Sequence, residues 1–145
     1  MVVRFTDRSC GDLAVTGDPT LLADRRARVV DAPWTWLRQV HGARVVTVNE
    51  PGEHAGTEAD AAVTSIPGAP IAVHTADCAP VVLSAPGVVG VAHAGWRGLA
   101  EGVVERTVEA MGALGAAPAD VTAEIGPCIR ARCYEFGADD LDTVV

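Results

Sequence analysis

The chain contains no lysine, so all eleven of its basic side chains are arginines, set against nineteen acidic residues and a formal net charge of −8. Nucleic-acid grooves and anionic membrane surfaces select basic patches, and this charge balance argues against both kinds of partner. Apolar runs of membrane-spanning or signal-peptide length are also missing. The sequence therefore predicts a cytoplasmic protein.

Cysteines with CxxC spacing are missing as well, although the chain has four cysteines, at positions 10, 78, 128 and 133. In a reducing compartment such thiols are buried, bind metals or act in catalysis rather than form disulfides. Hydrophobic residues make up 49% of the 145 residues, which is ample for a core. We therefore predict a single domain over residues 1–145.

Short apolar runs separated by turns fill the middle of the chain. They predict buried strands at residues 60–66, 70–76, 80–85 and 88–94. Further strands are predicted on either side of a turn at His41-Gly42, at 34–40 and 44–48, and in shorter runs at 2–5, 13–15 and 121–125. Residues 49–60 are polar and predict a surface loop. Helices are predicted at 21–30 after an Asp18-Pro19 start, at 99–114, and from Asp139 onward.

Two of the four histidines are candidate ligands. His41 and His93 lie near glycines at predicted strand ends, where an imidazole has room to approach a partner. His54 lies in the polar loop and is interpreted as a solvated surface residue. His74 lies inside a predicted strand, which favours a hydrogen-bonded core histidine.

Cys78 ends one apolar run and His93 ends the next, and together with His41 they form a set that suits zinc first and copper second. Three protein ligands would leave one tetrahedral position open, as in catalytic zinc sites. The spacings of 37 and 15 residues match no local zinc motif. A second interpretation makes Cys78 a nucleophile and His93 its base, and the residues alone leave both open.

Asp77 and Arg97 flank these candidates. Asp77 precedes the cysteine and is either a proton carrier, a residue that orients a ligand, or a turn cap. Arg97 stands between Gly95 and Gly98 at a predicted helix start, where it would contact a phosphate or carboxylate. The alternative is that Trp96 packs and Arg97 forms a surface ion pair.

The strings QVHG, ADAAVT, TADCAPVVL, VAHAGWRGL and IGPCI followed by CYEFG resemble, in this order, the laccase-domain or multicopper polyphenol oxidase family, also called peptidoglycan editing factor. The likeness covers nearly the whole chain, and TADC followed by HAGWRG is highly specific. It implies a metal site made by His41, Cys78 and His93, usually with zinc and sometimes with copper. It also implies an α+β fold of mixed sheets layered between helices, related to bacterial toxin deamidase domains.

Members of this family are regarded as purine nucleoside phosphorylases. The resemblance implies phosphorolysis of adenosine, inosine, guanosine and methylthioadenosine, together with deamination of adenosine, so that purine nucleosides and phosphate are the expected partners. Asp77 is then the candidate proton carrier and Arg97 the candidate phosphate contact. Because members continue with further strands and helices, we expect this metal-binding catalytic domain to be incomplete at its C-terminus.

Two alternative functions follow from the family names. One is a cysteine-type hydrolase that edits peptidoglycan precursors, with Cys78 as nucleophile. The other is a copper-dependent polyphenol oxidase. A blue-copper centre already uses two histidines and a cysteine, and only His54 and His74 would remain for a further copper cluster, so the histidine count argues against this second alternative.

Overall fold

The computed structural model describes residues 2–135 together with Gly137 and Asp140. This part of the chain has the α+β architecture expected from the resemblance, with a five-stranded and a three-stranded sheet and few helices. The helix predicted from Asp139 onward begins at a residue outside the described ones.

Helix α1 (Pro19–Val29) begins where its local signal predicts. The Asp18 side chain accepts hydrogen bonds from the N–H groups of Thr20 and Leu21, each at 3.0 Å, and Pro19 occupies the first helical position. The strands predicted at 2–5 and 13–15 are wrong, since neither run pairs with a neighbouring strand. A short apolar run without a partner strand leaves its backbone groups to solvent or to turns.

The five-stranded sheet holds most of the core. Its strands lie in the order β2 (Val45–Val48), β4 (Ala61–Thr64), β7 (Val88–Ala94), β6 (Ala79–Ala85) and β8 (Thr122–Ile125). Strands β2 and β4 are parallel and the other neighbours are antiparallel. All four residues of β4 are buried, which confirms the interpretation of its apolar run as a strand covered on both faces.

The three-stranded sheet is parallel, with β1 (Thr35–Arg38) between β3 (Thr57–Glu58) and β5 (Ile71–Ala72). Strand β3 lies inside the segment predicted as a loop. It was not predicted because a two-residue strand among polar residues shows no hydrophobic periodicity. Strand β5 is shorter than predicted and ends before His74.

The predicted helix at 99–114 is two helices, α2 (Trp96–Ala100) and α3 (Val103–Ala113). They are separated by Gly102, whose φ of +82° is left-handed and ends the helical hydrogen bonding. Helix α3 packs against β7 at Gly90, where an added Cβ would lie 3.0 Å from the Thr107 side chain. None of the helices in the described residues is long and apolar enough to cross a membrane.

Candidate metal centre

His41, Cys78 and His93 come together at one end of the β6–β7 hairpin. Their candidate ligand atoms all lie within 4.8 Å of one another. The hairpin register pairs Pro80 with His93 and Ala79 with Ala94, so the residue before β6 and the end of β7 are cross-strand neighbours. The 15-residue spacing is therefore that of one hairpin, whereas His41 arrives from the turn after β1.

The turn at His41 has a backbone that few side chains tolerate. His41 has a φ of +62°, in the left-handed region, which costs about 1 kcal/mol or more outside glycine. Asp60 holds this turn, because its carboxylate accepts hydrogen bonds from the N–H groups of Val40, His41 and Gly42 at 3.1, 2.9 and 2.9 Å. The exposed imidazole of His41 is thus presented by a fixed backbone.

The same Asp60 carboxylate orients His93. Both residues are buried, with Asp60 0% and His93 3% exposed, and His93 Nδ1 lies 2.8 Å from Asp60 Oδ1. An ionised carboxylate only accepts, so His93 donates from Nδ1 and keeps the Nε2 lone pair for a metal. Each carboxylate oxygen therefore accepts two hydrogen bonds, which uses the full acceptor capacity of the group.

No sequence motif assigns a role to Asp60, although its position carries a signal. It directly precedes the fully apolar start of β4, where a side chain points into the core. A buried carboxylate in such a position is retained in folded proteins only when it is paired or hydrogen-bonded. The identity of its partners could not be read from the sequence, since they lie about 20 and 33 residues away.

Gly95 gives the three ligands room to approach. A Cβ added at this position would lie 2.9 Å from His41 Cδ2 and 3.2 Å from Cys78 Sγ. The rings of His41 and His93 meet edge to face, with centroids 4.8 Å apart. The first glycine of the GWRG string therefore serves the close packing of the site.

Cys78 lies in surroundings that favour a cation. Burial raises the pKa of its thiol above the ordinary value, and the negative charges of Asp77 and Asp60 raise it further. Zinc bonds of about 2.0–2.3 Å place tetrahedral ligand atoms about 3.3–3.7 Å apart, which is inside the 4.8 Å that bounds the cluster. The donor set, its spacing and its nearby carboxylates fit a divalent metal.

Asp77 and Arg97 differ in their position and in the contacts that they make. Asp77 is exposed next to Cys78, and its backbone carbonyl accepts a hydrogen bond from Ile129 N–H at 2.9 Å. Arg97 Nη2 lies 3.0 Å from Asp140, and its guanidinium stacks 4.2 Å from the Trp96 ring centroid. A role for Arg97 in phosphate binding stays a prediction.

The two remaining histidines lie outside the cluster. His54 contacts Glu53 at 3.7 Å in a turn, with its own φ at +62°. His74 is half-buried beyond the end of β5, and neither of its ring nitrogens has a hydrogen-bond partner among the described residues. The expectation of a hydrogen-bonded His74 ring is therefore wrong; its backbone is bonded instead, to the side chain of Gln39.

Curated relatives share much of this sequence. The chain is 48% identical over 132 residues to a purine nucleoside phosphorylase of Streptomyces griseus, covering 84% of this chain and 54% of the relative. It is 44% identical over 130 residues to a purine nucleoside phosphorylase of Deinococcus radiodurans, covering 84% and 50%. The chain thus spans about half the length of the curated relatives it matches.

Solved structures agree with the fold. YlmD from Geobacillus stearothermophilus superposes with a TM-score of 0.78 at 32% identity, over 91% of this chain and 55% of that one. A Neisseria meningitidis protein of family DUF152 gives a TM-score of 0.79 at 34% identity, over 91% and 56%. The family model described as multi-copper polyphenol oxidoreductase laccase matches residues 11–145. The chain belongs to this laccase-like family.

Proposed function

We propose that this protein is a purine nucleoside phosphorylase that works with a divalent metal, zinc in the first place, held by His41, Cys78 and His93. The observation that carries the proposal is the cluster of three ligand atoms within 4.8 Å. The curated relatives are named purine nucleoside phosphorylases, which supports a purine nucleoside and phosphate as substrates.

In phosphorolysis, the bond between the ribose C1′ and the purine nitrogen breaks, and its electron pair leaves with the purine. An oxygen of orthophosphate forms the new bond to C1′, which gives the free base and ribose 1-phosphate. A bound zinc ion would act as a Lewis acid that stabilises developing negative charge. Asp60 keeps His93 in the tautomer that binds metal, and exposed Asp77 beside Cys78 is the proposed proton carrier in adenosine deamination, the second activity proposed below.

Adenosine deamination is proposed as a second activity of the same site, in which water replaces the exocyclic amine. Adenosine, inosine, guanosine and methylthioadenosine are the proposed phosphorolysis substrates. The names of the relatives support the purine nucleoside class, and a panel of substrates is needed to rank its members.

The raised pKa of Cys78 speaks against the cysteine-hydrolase alternative. A nucleophilic cysteine is activated by cationic neighbours that lower the pKa of its thiol, whereas burial, Asp77 and Asp60 raise it here. The copper-oxidase alternative is disfavoured by the histidine count, since His54 and His74 lie outside the cluster. Because the ligand atoms of two histidines and Cys78 converge within 4.8 Å, metal ligation is the role that we propose for Cys78.

The test combines metal analysis with a nucleoside panel, with and without phosphate. His41→Ala and Cys78→Ala should each bind no zinc and should no longer release adenine from adenosine in the presence of phosphate. Chromatography measures the released adenine. His54→Ala is the matched control and should retain both. Persistence of both metal and phosphorolysis in the two site variants would overturn the assignment, and activity that survives a chelator would favour the hydrolase.

A further inference from the structure

A second polar cluster lies where α1 meets the three-stranded sheet, and it consists of Arg26, Trp34, Trp36 and His74. The Arg26 guanidinium lies 4.8 Å from the Trp36 ring centroid and 5.9 Å from that of Trp34. Strand pairing sets Trp36 beside Ala72, and His74 follows two residues later, on the same side of an extended chain. We call this group the Arg26–His74 cluster.

Four polar atoms of Arg26 and His74 are buried and unpaired among the described residues. Arg26 Nε and Nη2, and both ring nitrogens of His74, are shielded from solvent and have no hydrogen-bond partner within residues 2–135, Gly137 and Asp140. Among these residues, none of the ion pairs involves Arg26. The indole N–H of Trp34 is already used, because it donates to the Val30 carbonyl at 2.9 Å.

The unpaired atoms of Arg26 form a recognisable donor pair. Nε and Nη2 lie along one edge of the guanidinium, and their parallel N–H groups are those that bind two oxygens of one oxyanion. Burial and the charge of Arg26 both lower the pKa of His74, so at neutral pH the imidazole is uncharged and offers one further N–H. Together these groups present three donors and one positive charge.

The cluster is joined to the metal centre through the backbone. The Gln39 side chain donates to the His74 carbonyl at 2.6 Å and accepts from its N–H at 2.7 Å. Gln39 precedes the ligand His41 by two residues, and His74 precedes Cys78 by four. Four residues extend at most about 14 Å, so the backbone of His74 lies within that distance of Cys78.

We propose that the Arg26–His74 cluster is an oxyanion subsite that binds orthophosphate, the second substrate of phosphorolysis. The Arg26 edge donates to two phosphate oxygens, and His74 donates to a third. Arg26 thereby replaces Arg97, which pairs with Asp140 and stacks on Trp96, as the proposed phosphate contact. The donor nitrogens are shielded in this conformation, so entry requires the flexible Arg26 side chain to swing aside and close over the anion. The role as a substrate site rests on the proposed function, whereas the binding of phosphate does not.

Direct binding tests the subsite without any nucleoside. The chain is titrated calorimetrically with orthophosphate up to about 20 mM, above the usual range of KM values, at constant ionic strength. Arg26→Met should weaken binding by about tenfold or more, since two charge-assisted hydrogen bonds are lost, and His74→Leu should weaken it less. Arg28→Met, an exposed arginine on the same helix, is the control and should bind as the native chain does.

Arg26→Lys keeps the folded packing of a long cation but removes the bidentate edge, so it should also bind phosphate more weakly. Zinc content and circular dichroism show that each variant is folded. No phosphate binding by the native chain, or equal binding by the native chain and both Arg26 variants, would overturn the subsite. Equal affinity for acetate would overturn the assignment to phosphate, because a carboxylate shares the bidentate geometry.

Kinetics separate this inference from the proposed function. If phosphorolysis occurs, the KM for phosphate should rise in Arg26→Met while the KM for the nucleoside changes little. An unchanged phosphate KM would reject the subsite and leave the phosphorylase standing. Phosphate binding that depends on Arg26 in a chain without phosphorolysis would keep the subsite and reject the phosphorylase.

Discussion

The candidate metal centre and the Arg26–His74 cluster satisfy their polar groups in opposite ways. Around the metal centre, the buried Asp60 accepts four hydrogen bonds, from three backbone N–H groups and from His93. In the Arg26–His74 cluster, four buried nitrogens have no partner among the described residues. The hydrogen bonds of Asp60 fix the positions of His41 and His93 without a bound ligand. The Arg26–His74 cluster instead has unpaired donors that an anion could accept from.

The largest effect is expected from Asp60→Asn, which removes part of the hydrogen bonding around the candidate metal centre. An amide offers one acceptor oxygen and one NH2 donor, so part of the surrounding donors would face a donor instead of an acceptor. We expect a loss of about 2–4 kcal/mol in the free energy of unfolding, since each buried unsatisfied group costs about 1–3 kcal/mol. Zinc affinity should fall by about 10–100-fold, as for other partners of ligating histidines.

Denaturant unfolding and a competitive zinc titration measure these two effects. Asp24→Asn is the control, because Asp24 is exposed on α1 and its carboxylate accepts none of the four bonds. Native zinc affinity in Asp60→Asn would show that the orientation of His93 and His41 does not depend on this carboxylate.

An intermediate effect is expected from Gly95→Ala. The new methyl group would lie within 2.9 Å of His41 and 3.2 Å of Cys78, and such overpacking costs about 1–3 kcal/mol. Thermal unfolding and zinc titration should both show a loss. Gly112→Ala is the matched control in α3, where nothing lies within 4 Å of an added Cβ.

The control substitution should change the stability in the opposite direction. Alanine is favoured over glycine inside a helix by about 0.5–1 kcal/mol, so Gly112→Ala should stabilise the chain slightly. Equal effects of the two substitutions would mean that the tight approach at Gly95 does not serve the ligands.

The smallest effect concerns pH and the second cluster. The pKa of His74 is lowered by burial and by Arg26, so the folded state binds its proton less well than the unfolded state does. Protonation of His74 therefore leaves the free energy of unfolding unchanged at pH values well above its ordinary pKa of 6.5, and it lowers that free energy as the pH falls below 6.5. His74→Leu should therefore lose less stability between neutral and mildly acidic pH than the native chain.

Unfolding by denaturant at several pH values above and below 6.5 checks this expectation. His54→Leu serves as the control, since His54 lies in a turn away from Arg26. An identical pH slope in native chain and His74→Leu would contradict an uncharged, buried His74.

Local signals in the sequence predicted the parts of the fold that are locally determined. Asp18 and Pro19 start α1, and the turn at His41-Gly42 stands where the strand pattern breaks. The β6–β7 hairpin follows from two apolar runs around Pro86-Gly87, and Gly87 has the positive φ that a tight turn requires. Each of these features depends on residues that are close in sequence.

Features that depend on distant partners were not predictable from spacing. The approach of His41 to Cys78 was expected from the family resemblance, and the pairing of Asp60 with His93 was not expected at all. The break at Gly102 was missed because a continuous apolar stripe runs past it, and strand β3 because two residues show no period. Tertiary contacts decide the ligand set, the pairing of Asp60 with His93 and strand β3, whereas Gly102 ends a helix through its own left-handed backbone.

The three ligands do not come from one sheet. His41 follows β1 in the three-stranded sheet, whereas Cys78 and His93 belong to the hairpin of the five-stranded sheet. An ion ligated by all three would link the two sheets. Like a covalent cross-link, it would bind only when the distant segments of the chain are brought together, so that metal binding and folding are coupled. Binding of a metal would therefore stabilise the folded arrangement of the two sheets as well as occupy the candidate site.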